Sequence, residues 1–292
     1  MIKLIVTDLD GTLFYPLKKI KGVSKENRNF LRNFLDNNGD VMIASGRNLG
    51  FLSRLESTMK HKLYFMGCNG SYVVDKETKE ISNRHPLDSS LIAKLYLSMK
   101  DNYSIFCYFL LDESDKLYYF FPEGMPKYFI CAFKVGNLLN CYYRENLIGG
   151  EEEFLKKAQD GKNYKFMPVF SFGRANQEKT IQTYIALKSI FGDSLNLCMT
   201  GGSIEITGKD VSKGNGLKDF IAQKGIKEEE VIVIGDAEND ISMFKNFRHS
   251  FCMSHSDDET KKYANHIVDY VYQIEDYLKN PSLLEDDKIK NI

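Results

Sequence analysis

A short apolar run near the N-terminus, Leu4–Val6, is followed closely by two carboxylates, Asp8 and Asp10, and then by Gly11. An uninterrupted apolar run of this length is typical of a strand buried on both faces, as in the centre of a parallel sheet. Ligands of open α/β sheets bind at the carboxyl ends of the strands, and a carboxylate buried there is costly unless a cation lies beside it. The run therefore predicts a central strand that ends at a charged site. The alternative is an acidic turn without a chemical role.

The rest of the chain alternates in a way that extends this sheet. Apolar runs and helical patterns alternate from the N-terminus to about residue 84, and the same alternation returns after Thr207. Between them lies a different pattern, α-β-β followed by α-β-β, which indicates a separate α+β layer. We therefore expect the α/β class: a doubly wound parallel-sheet (Rossmann-like) core with an inserted α+β domain. The predicted core is 1–84 with 208–292, and the predicted inserted domain is 85–207.

Composition limits the classes of partner. The 292 residues carry a formal net charge of −1, which gives no reason to expect nucleic acid or an anionic membrane as a partner. There is no signal-peptide layout and no apolar run long enough to cross a bilayer. The six cysteines are scattered without a C-x-x-C pair, so we expect a reduced, cytoplasmic protein. Cys252 and His255 have a ligand-like spacing, but without a second pair they do not predict a zinc site.

Four stretches together resemble the haloacid dehalogenase-like phosphatases, and the last two are most similar to the Cof-type branch of that family. In chain order they are Asp8-Leu9-Asp10-Gly11-Thr12, Ser45-Gly46-Arg47, Ser212-Lys213-Gly214 and Gly235-Asp236-Ala237-Glu238-Asn239-Asp240. The set is far more specific than any single motif. The resemblance covers both ends of the chain well and the middle only in outline.

The resemblance implies a phosphoric monoester hydrolase in which Asp8 is the nucleophile and forms an aspartyl-phosphate. Asp10 would be the general acid and base, because a carboxylate two positions later can protonate the leaving oxygen and then take a proton from water. The expected cofactor is Mg²⁺, held by Asp8, the backbone carbonyl of Asp10, and Asp236. Asp240 is expected outside the ligand set, orienting a metal-bound water.

The phosphoryl oxygens need positive charge and hydrogen-bond donors. The expected donors are the Ser45 hydroxyl, the Gly46 backbone N–H, the Lys213 ammonium group and the Asn239 amide. The sequence leaves the roles of two further residues open. Arg47 contacts either the phosphate or a partner carboxylate that secures the loop, and Asn69 is expected to hold a turn with Gly70 more than to contact substrate.

The inserted segment matches the large α/β cap of the Cof-type branch, which chooses the substrate. The expected partner is a small phosphorylated metabolite, a sugar phosphate first and FMN or pyridoxal phosphate next. The alternatives are a sugar phosphomutase and a non-catalytic sugar-phosphate-binding regulator. Within the segment, the aromatic run Tyr118–Phe121 is either a substrate platform or, as we expect, a buried strand. The sequence does not indicate the oligomeric state or the role of the irregular stretch 122–150.

Overall fold

The computed structural model describes residues 1–16, 22–101, 105–114, 116–122, 128, 130–131, 145–160, 162–170, 177–200 and 202–290. They form two compact units, 1–84 with 212–292 and 85–211. Within the described ranges, no helix combines the length and the hydropathy needed to traverse a bilayer.

The strands and helices alternate along most of the chain. The strands are β1 (Leu4–Thr7), β2 (Asp40–Ala44), β3 (Tyr64–Gly67), β4 (Tyr72–Val74), β5 (Ile81–Ser82), β6 (Cys107–Asp112), β7 (Leu117–Phe120), β8 (Glu145–Leu147), β9 (Asn163–Val169), β10 (Leu195–Thr200), β11 (Ser203–Gly208), β12 (Val231–Gly235), β13 (Ser250–Met253) and β14 (His266–Val268). The helices with described bounds are α1 (Lys25–Asp36), α2 (Leu52–Met59), α3 (Ser89–Lys100), α4 (Glu151–Gln159), α5 (Gln177–Phe191), α6 (Lys213–Lys224), α7 (Ile241–Asn246), α8 (Asp258–Lys261) and α9 (Ile274–Lys279).

The first unit is built on an eight-stranded sheet in the order β14-β13-β12-β1-β2-β3-β4-β5. Pairing is parallel from β14 to β3 and antiparallel across β3, β4 and β5. Strand β1 is completely buried, and it lies between β2 and β12, which come from opposite ends of the chain. The strand order therefore reverses at β1, and doubly wound sheets bind their ligands at such a switch point.

The second unit is built on a six-stranded sheet in the order β10-β11-β9-β6-β7-β8. All pairings are antiparallel except that of β7 with β8. One apolar cluster includes Tyr108, Phe120 and Phe154 of α4, whereas a second includes Phe109 and Tyr119. Tyr119 and Phe120 point to opposite faces and are both buried, so this strand is buried on both sides. The predicted fold class is confirmed.

The second unit extends to Val211, four residues beyond the predicted boundary. The Asn196 side-chain amide donates to the Val211 carbonyl oxygen at 2.6 Å, and the Val211 N–H donates to Gly208 at 3.0 Å. These bonds hold residues 208–211 against the strands that precede them. Of the irregular stretch 122–150, the structure describes β8 and a few isolated residues. Residues 123–127, 129 and 132–144 lie outside the described part of the chain.

Candidate active site

The loop after β1 brings Asp8 to the edge of the sheet. Its N–H donates to the Ile234 carbonyl oxygen at 2.9 Å, and its side chain is almost entirely buried. The chain then turns tightly through Gly11, which has φ +85°. A Cβ atom at Gly11 would lie 2.2 Å from Asp236 Oδ2, so only glycine permits this approach. The turn therefore allows the loop that carries Asp8 and Asp10 to lie against the loop that follows β12.

Lys213 stands at the centre of the site. It is completely buried, and its Nζ lies 2.6 Å from Asp8 Oδ1 and 2.6 Å from Asp240 Oδ1. It is the first residue of α6, which begins there because the Ser212 hydroxyl accepts the Asn215 N–H at 3.2 Å. The helix cap therefore fixes where the ammonium group enters the site.

Three carboxylates cluster at the site, and two of them contact this ammonium group. Asp8, Asp236 and Asp240 each offer an oxygen, and these oxygens lie within 4.8 Å of one another. Both oxygens of Asp240 are engaged, since Oδ1 accepts from Lys213 and Oδ2 accepts the N–H groups of Asp236 and Ala237 at 2.9 and 3.0 Å. Asp240 thus joins the lysine to the loop after β12.

The charges in this cluster do not balance. Burial raises the pKa of Asp8 well above its usual range, Lys213 lowers it in part, and Asp240 and Asp236 raise it further. Burial and the charge of Asp240 also raise the pKa of Asp236 to about 6. Burial alone would lower the pKa of Lys213, but Asp240 and Asp8 keep it above its ordinary value.

Three carboxylates beside a single lysine are a donor set that suits a hard divalent cation such as Mg²⁺. Asp8 and Asp236 are the two that could hold it, because Asp240 is committed elsewhere.

Asp10 and Arg47 form a bidentate ion pair. Arg47 Nη2 donates to Asp10 Oδ1 at 2.7 Å, and Arg47 Nε donates to Oδ2. The Asp10 side chain is half exposed, at 48%, and its carboxylate contacts the guanidinium group. Of the two contacts left open for Arg47, the structure shows the ion pair with a carboxylate.

The loops after β2 and β3 meet beside the carboxylates. The Ser45 hydroxyl, which is buried, accepts the Arg47 N–H at 3.1 Å, and Gly46 lies between these two residues in the same loop. The Asn69 N–H donates to the Ser45 carbonyl oxygen at 3.0 Å. Asn69 Oδ1 accepts from the Asn239 amide at 3.0 Å. Asn69, with φ +57°, therefore holds the turn as expected and also supports Asn239, a contact that its sequence position did not reveal.

His255 was not among the predicted site residues. Its Nε2 lies 3.7 Å from Asp236 Oδ2, and its ring stacks on Tyr15 with 4.3 Å between the centroids. The only sequence signal was its spacing from Cys252. That cysteine is buried within β13, where burial raises the pKa of its thiol to about 11.

Comparison with known proteins identifies the family. A family model described as haloacid dehalogenase-like hydrolase matches residues 5–275. The chain belongs to the haloacid dehalogenase-like hydrolases. Among curated relatives of this hydrolase, a Mycoplasma genitalium protein provisionally named a phosphatase is 27% identical over an alignment of 280 residues that covers 90% of each chain. The predicted enzyme class, a phosphoric monoester hydrolase, is confirmed.

Solved structures of the family share the fold of this hydrolase. A haloacid dehalogenase-like hydrolase from Bacillus subtilis superposes with a TM-score of 0.77 at 20% identity, covering 95% of this chain and 100% of that one. A subclass IIB sugar phosphatase superposes with a TM-score of 0.72 at 18% identity, covering 95% of this chain and 99% of that one. The resemblance to the Cof-type branch is confirmed at the level of family and fold.

Proposed function

We propose that this hydrolase cleaves small phosphate monoesters with the help of Mg²⁺, through an aspartyl-phosphate on Asp8. The observation that carries this proposal is the buried ammonium group of Lys213, 2.6 Å from Asp8 and 2.6 Å from Asp240, with Asp236 in the same cluster. A protein that only bound a phosphate would gain nothing from three clustered carboxylates, because they repel the ligand.

The metal is proposed from the charge imbalance of the site. Asp8, Asp236 and the Asp10 backbone carbonyl would hold Mg²⁺, as the family resemblance implies. The ion supplies positive charge that lets a carboxylate and a phosphate dianion approach each other. Asp240 would then act mainly by fixing Lys213 and the loop of Asp236, because both of its oxygens are already hydrogen-bonded.

The proposed reaction has two steps. An oxygen of ionised Asp8 forms a bond to phosphorus while the ester P–O bond breaks, and Asp10 gives its proton to the departing alkoxide. Water then attacks the phosphorus of the aspartyl-phosphate and loses a proton to Asp10, which releases phosphate and regenerates Asp8. Because the Asp10 carboxylate accepts from Arg47 with both oxygens, we infer that it must turn away from Arg47 and take up a proton from solvent before it can donate one to the leaving oxygen.

The transferring phosphoryl group would be bound by Ser45, Gly46, Lys213 and Asn239. Asn239 is supported for this task by Asn69, which accepts its amide N–H. We infer that the unit 85–211 acts as the cap that selects the substrate, and that the substrate is a sugar phosphate, with FMN or pyridoxal phosphate next. The support is the family resemblance and the sugar phosphatase among the structural neighbours.

The test is phosphate release across a panel of sugar phosphates, FMN and pyridoxal phosphate, with Mg²⁺ and with excess chelator. We expect free phosphate only with Mg²⁺, and none from Asp8→Asn. Ca²⁺ should restore release poorly, because it prefers longer bonds and more ligands than Mg²⁺. Phosphoryl groups returned to the sugar without free phosphate would establish the phosphomutase instead. Binding of sugar phosphates without turnover would establish the regulator.

A further inference from the structure

The turn after β3, Cys68–Gly70, has an unusual backbone. Its three residues all have positive φ, at +50° for Cys68, +57° for Asn69 and +104° for Gly70. A side chain makes this conformation unfavourable, although asparagine tolerates it better than most residues. Such a conformation persists where the surrounding structure imposes it, and it is common at functional sites. The contacts of this turn therefore show what it is held against.

The backbone of the turn is bonded to the loop after β2. The Cys68 N–H donates to the Arg47 carbonyl oxygen at 3.1 Å, and the Asn69 N–H donates to the Ser45 carbonyl oxygen at 3.0 Å. These two consecutive bonds enclose the loop that carries Ser45 and Gly46. The turn and that loop therefore form one hydrogen-bonded unit.

The same turn lies directly against the start of α6. A Cβ atom at Gly70 would lie 2.3 Å from the carbonyl oxygen of Ser212, the residue that caps the helix beginning at Lys213. Gly216 packs on the turn from the helix side, since its own Cβ would lie 3.1 Å from Gly70 Cα. Glycines at 70 and 216 thus allow the turn to approach the segment that carries the buried lysine.

The side chain of Asn69 reaches the loop after β12. Its Oδ1 accepts from Asn239 Nδ2 at 3.0 Å, and Asn69 is only 4% exposed. An oxygen acceptor can face only the NH₂ end of the Asn239 amide. Asn239 Oδ1 is buried and has no hydrogen-bond partner within the described ranges, so the contact with Asn69 is what fixes the orientation of this amide. An NH₂ group has two N–H bonds, and one can be held by Asn69 while the other meets a phosphoryl oxygen.

We propose that Asn69 is a positioning residue of the active site, an inference that rests on the proposed phosphate-binding role of Asn239. Its carboxamide oxygen orients the Asn239 NH₂ group toward the phosphoryl oxygens. The turn fixes where this oxygen lies relative to the loop of Ser45 and the start of α6. Asn69 itself does not contact the substrate, so its contribution to phosphate binding passes through Asn239.

The experiment measures the binding of inorganic phosphate to the full-length protein in excess Mg²⁺, by calorimetry, and the hydrolysis of p-nitrophenyl phosphate. The variants are Asn69→Gly, Asn239→Ala and the two combined. Asn69→Gly removes the acceptor and keeps a residue that adopts positive φ freely. Asn38→Gly is the matched control, because Asn38 also has a positive φ, +65°, at an exposed position shortly after α1.

Asn69→Gly should weaken phosphate binding and lower kcat/KM by roughly 10-fold, the scale of losing one hydrogen bond to a charged group. Asn239→Ala should lose at least as much. The double variant should match Asn239→Ala alone, because Asn69 then has no amide to orient. A merely structural role for Asn69 would make the two losses multiply instead. Asn38→Gly should bind phosphate as wild type does.

The outcomes separate this proposal from the proposed function. Wild-type phosphate affinity in Asn69→Gly, or losses that multiply in the double variant, would overturn the role of Asn69 and leave the hydrolysis intact. The expected losses of phosphate binding in a protein that hydrolyses no ester would support the role of Asn69 and remove the proposed function. If wild type binds no phosphate, both are wrong. Asn69→Ser, whose side chain is too short for the contact, repeats the cycle if Asn69→Gly does not fold.

Discussion

At the scale of single residues, Lys213 shows that the same contacts affect both the stability of the fold and the proposed chemistry. It is a fully buried cation that is paired with two carboxylates, Asp8 and Asp240, each with an oxygen 2.6 Å from the ammonium nitrogen. Removing Asp240 would leave Lys213 paired with Asp8 but would deprive the N–H groups of Asp236 and Ala237 of their acceptor, and a buried donor without a partner typically costs about 1–3 kcal/mol. The same residues are proposed to perform the chemistry, so substitutions at Asp240 are expected to reduce both stability and turnover.

The division of labour between Asp8 and Asp10 gives a kinetic prediction. Asp10→Asn keeps the nucleophile but loses proton transfer, so turnover of a sugar phosphate should fall by about 10²–10⁴-fold. An aryl phosphate with an acidic phenol needs no proton to leave, so p-nitrophenyl phosphate should still give a rapid burst of nitrophenolate followed by slow turnover. Rapid mixing measures the burst, and Asp8→Asn should show none. A missing burst in Asp10→Asn, with substrate still bound, would remove the acid–base assignment.

The sequence predicted the residues at the strand ends, left the contact of Arg47 open and missed that of His255. Asp8 and Asp236 follow parallel strands that pair side by side, so their proximity follows from the topology alone. The Asp10–Arg47 ion pair and the position of His255 beside Asp236 depend instead on how individual turns run. No pattern of hydrophobic residues reports on turn geometry, and this is why these contacts appeared only in the structure.

At the scale of elements, the loop after β1 depends on the absence of a side chain at Gly11. Gly11→Ala should weaken Mn²⁺ binding about 10-fold or more, because the new Cβ atom would displace Asp236. Gly225→Ala is the control, since Gly225 also has a positive φ, +65°, but nothing lies within 4 Å of its Cβ position. It should lose only about 1–2 kcal/mol of unfolding free energy for the left-handed backbone and bind Mn²⁺ normally. Equal Mn²⁺ affinity in the two variants would contradict the steric argument.

The carboxylate of Asp287 joins the C-terminal segment to two histidines of the first unit. Asp287 Oδ2 lies 2.9 Å from His249 Nδ1, and its Oδ1 lies 2.7 Å from His266 Nε2. Burial alone would raise the pKa of Asp287, but the hydrogen bonds from His249 and His266 bring it below its ordinary value. A depressed pKa in the folded state adds stability above the unfolded pKa of about 3.9, and this stability is lost as pH falls through the folded value.

Asp287→Ala should therefore lower the unfolding free energy at pH 7 by about 1–3 kcal/mol, because it leaves buried histidine nitrogens without their acceptor. Asp286→Ala, at the exposed neighbouring position, should change it by less than about 0.5 kcal/mol. Urea unfolding measures both variants. The difference between Asp287→Ala and wild type should shrink as the pH falls below the unfolded pKa of about 3.9, because the unfolded chain then binds a proton that the folded carboxylate accepts only at lower pH. A difference that stays constant down to pH 3 would show that the carboxylate charge is irrelevant.

Element boundaries were easiest to predict where caps or periodicity mark them. The sequence pattern predicts a helix at Gln177–Phe191, and these are the bounds of α5. It also predicts a helix from about Leu49 to Met59, of which Leu49–Phe51 is a 3-10 turn and the rest is α2. In the second unit the sequence pattern predicts a strand at 103–111; residues 103 and 104 lie outside the described part of the chain, and β6 occupies Cys107–Asp112. A strand buried on both faces lacks the polar alternation that would define its ends.

At the scale of the whole molecule, each unit has its own apolar core. One large cluster includes Val6, Val233 and Phe244 of the first unit, and another includes Tyr108, Phe154 and Ile206 of the second. Removing 85–211 and joining the ends with a short Gly/Ser linker should therefore leave a folded first unit. Circular dichroism and thermal unfolding measure this, and isolated 85–211 is the companion sample. Loss of cooperative unfolding in the shortened chain would show that the second unit completes the core.

The same shortened chain tests the proposed role of the second unit. Hydrolysis of p-nitrophenyl phosphate should persist, whereas the ratio of activities between different sugar phosphates should approach one, because the segment proposed to select the substrate is gone. Unchanged discrimination in a folded shortened chain would place substrate selection in the first unit.

The position of β1 between β2 and β12 has a consequence for the way the protein is made. Asp8 and Lys213 are 205 residues apart, and a ribosome adding about 5–20 residues per second needs roughly 10–40 seconds to pass from one to the other. During that interval one edge of β1 has no strand to pair with, and its carboxylate has no lysine. An exposed strand edge is a template for aggregation, so the nascent chain is most vulnerable just before β12 emerges. A chain that ends before residue 213 should therefore be both inactive and prone to aggregate.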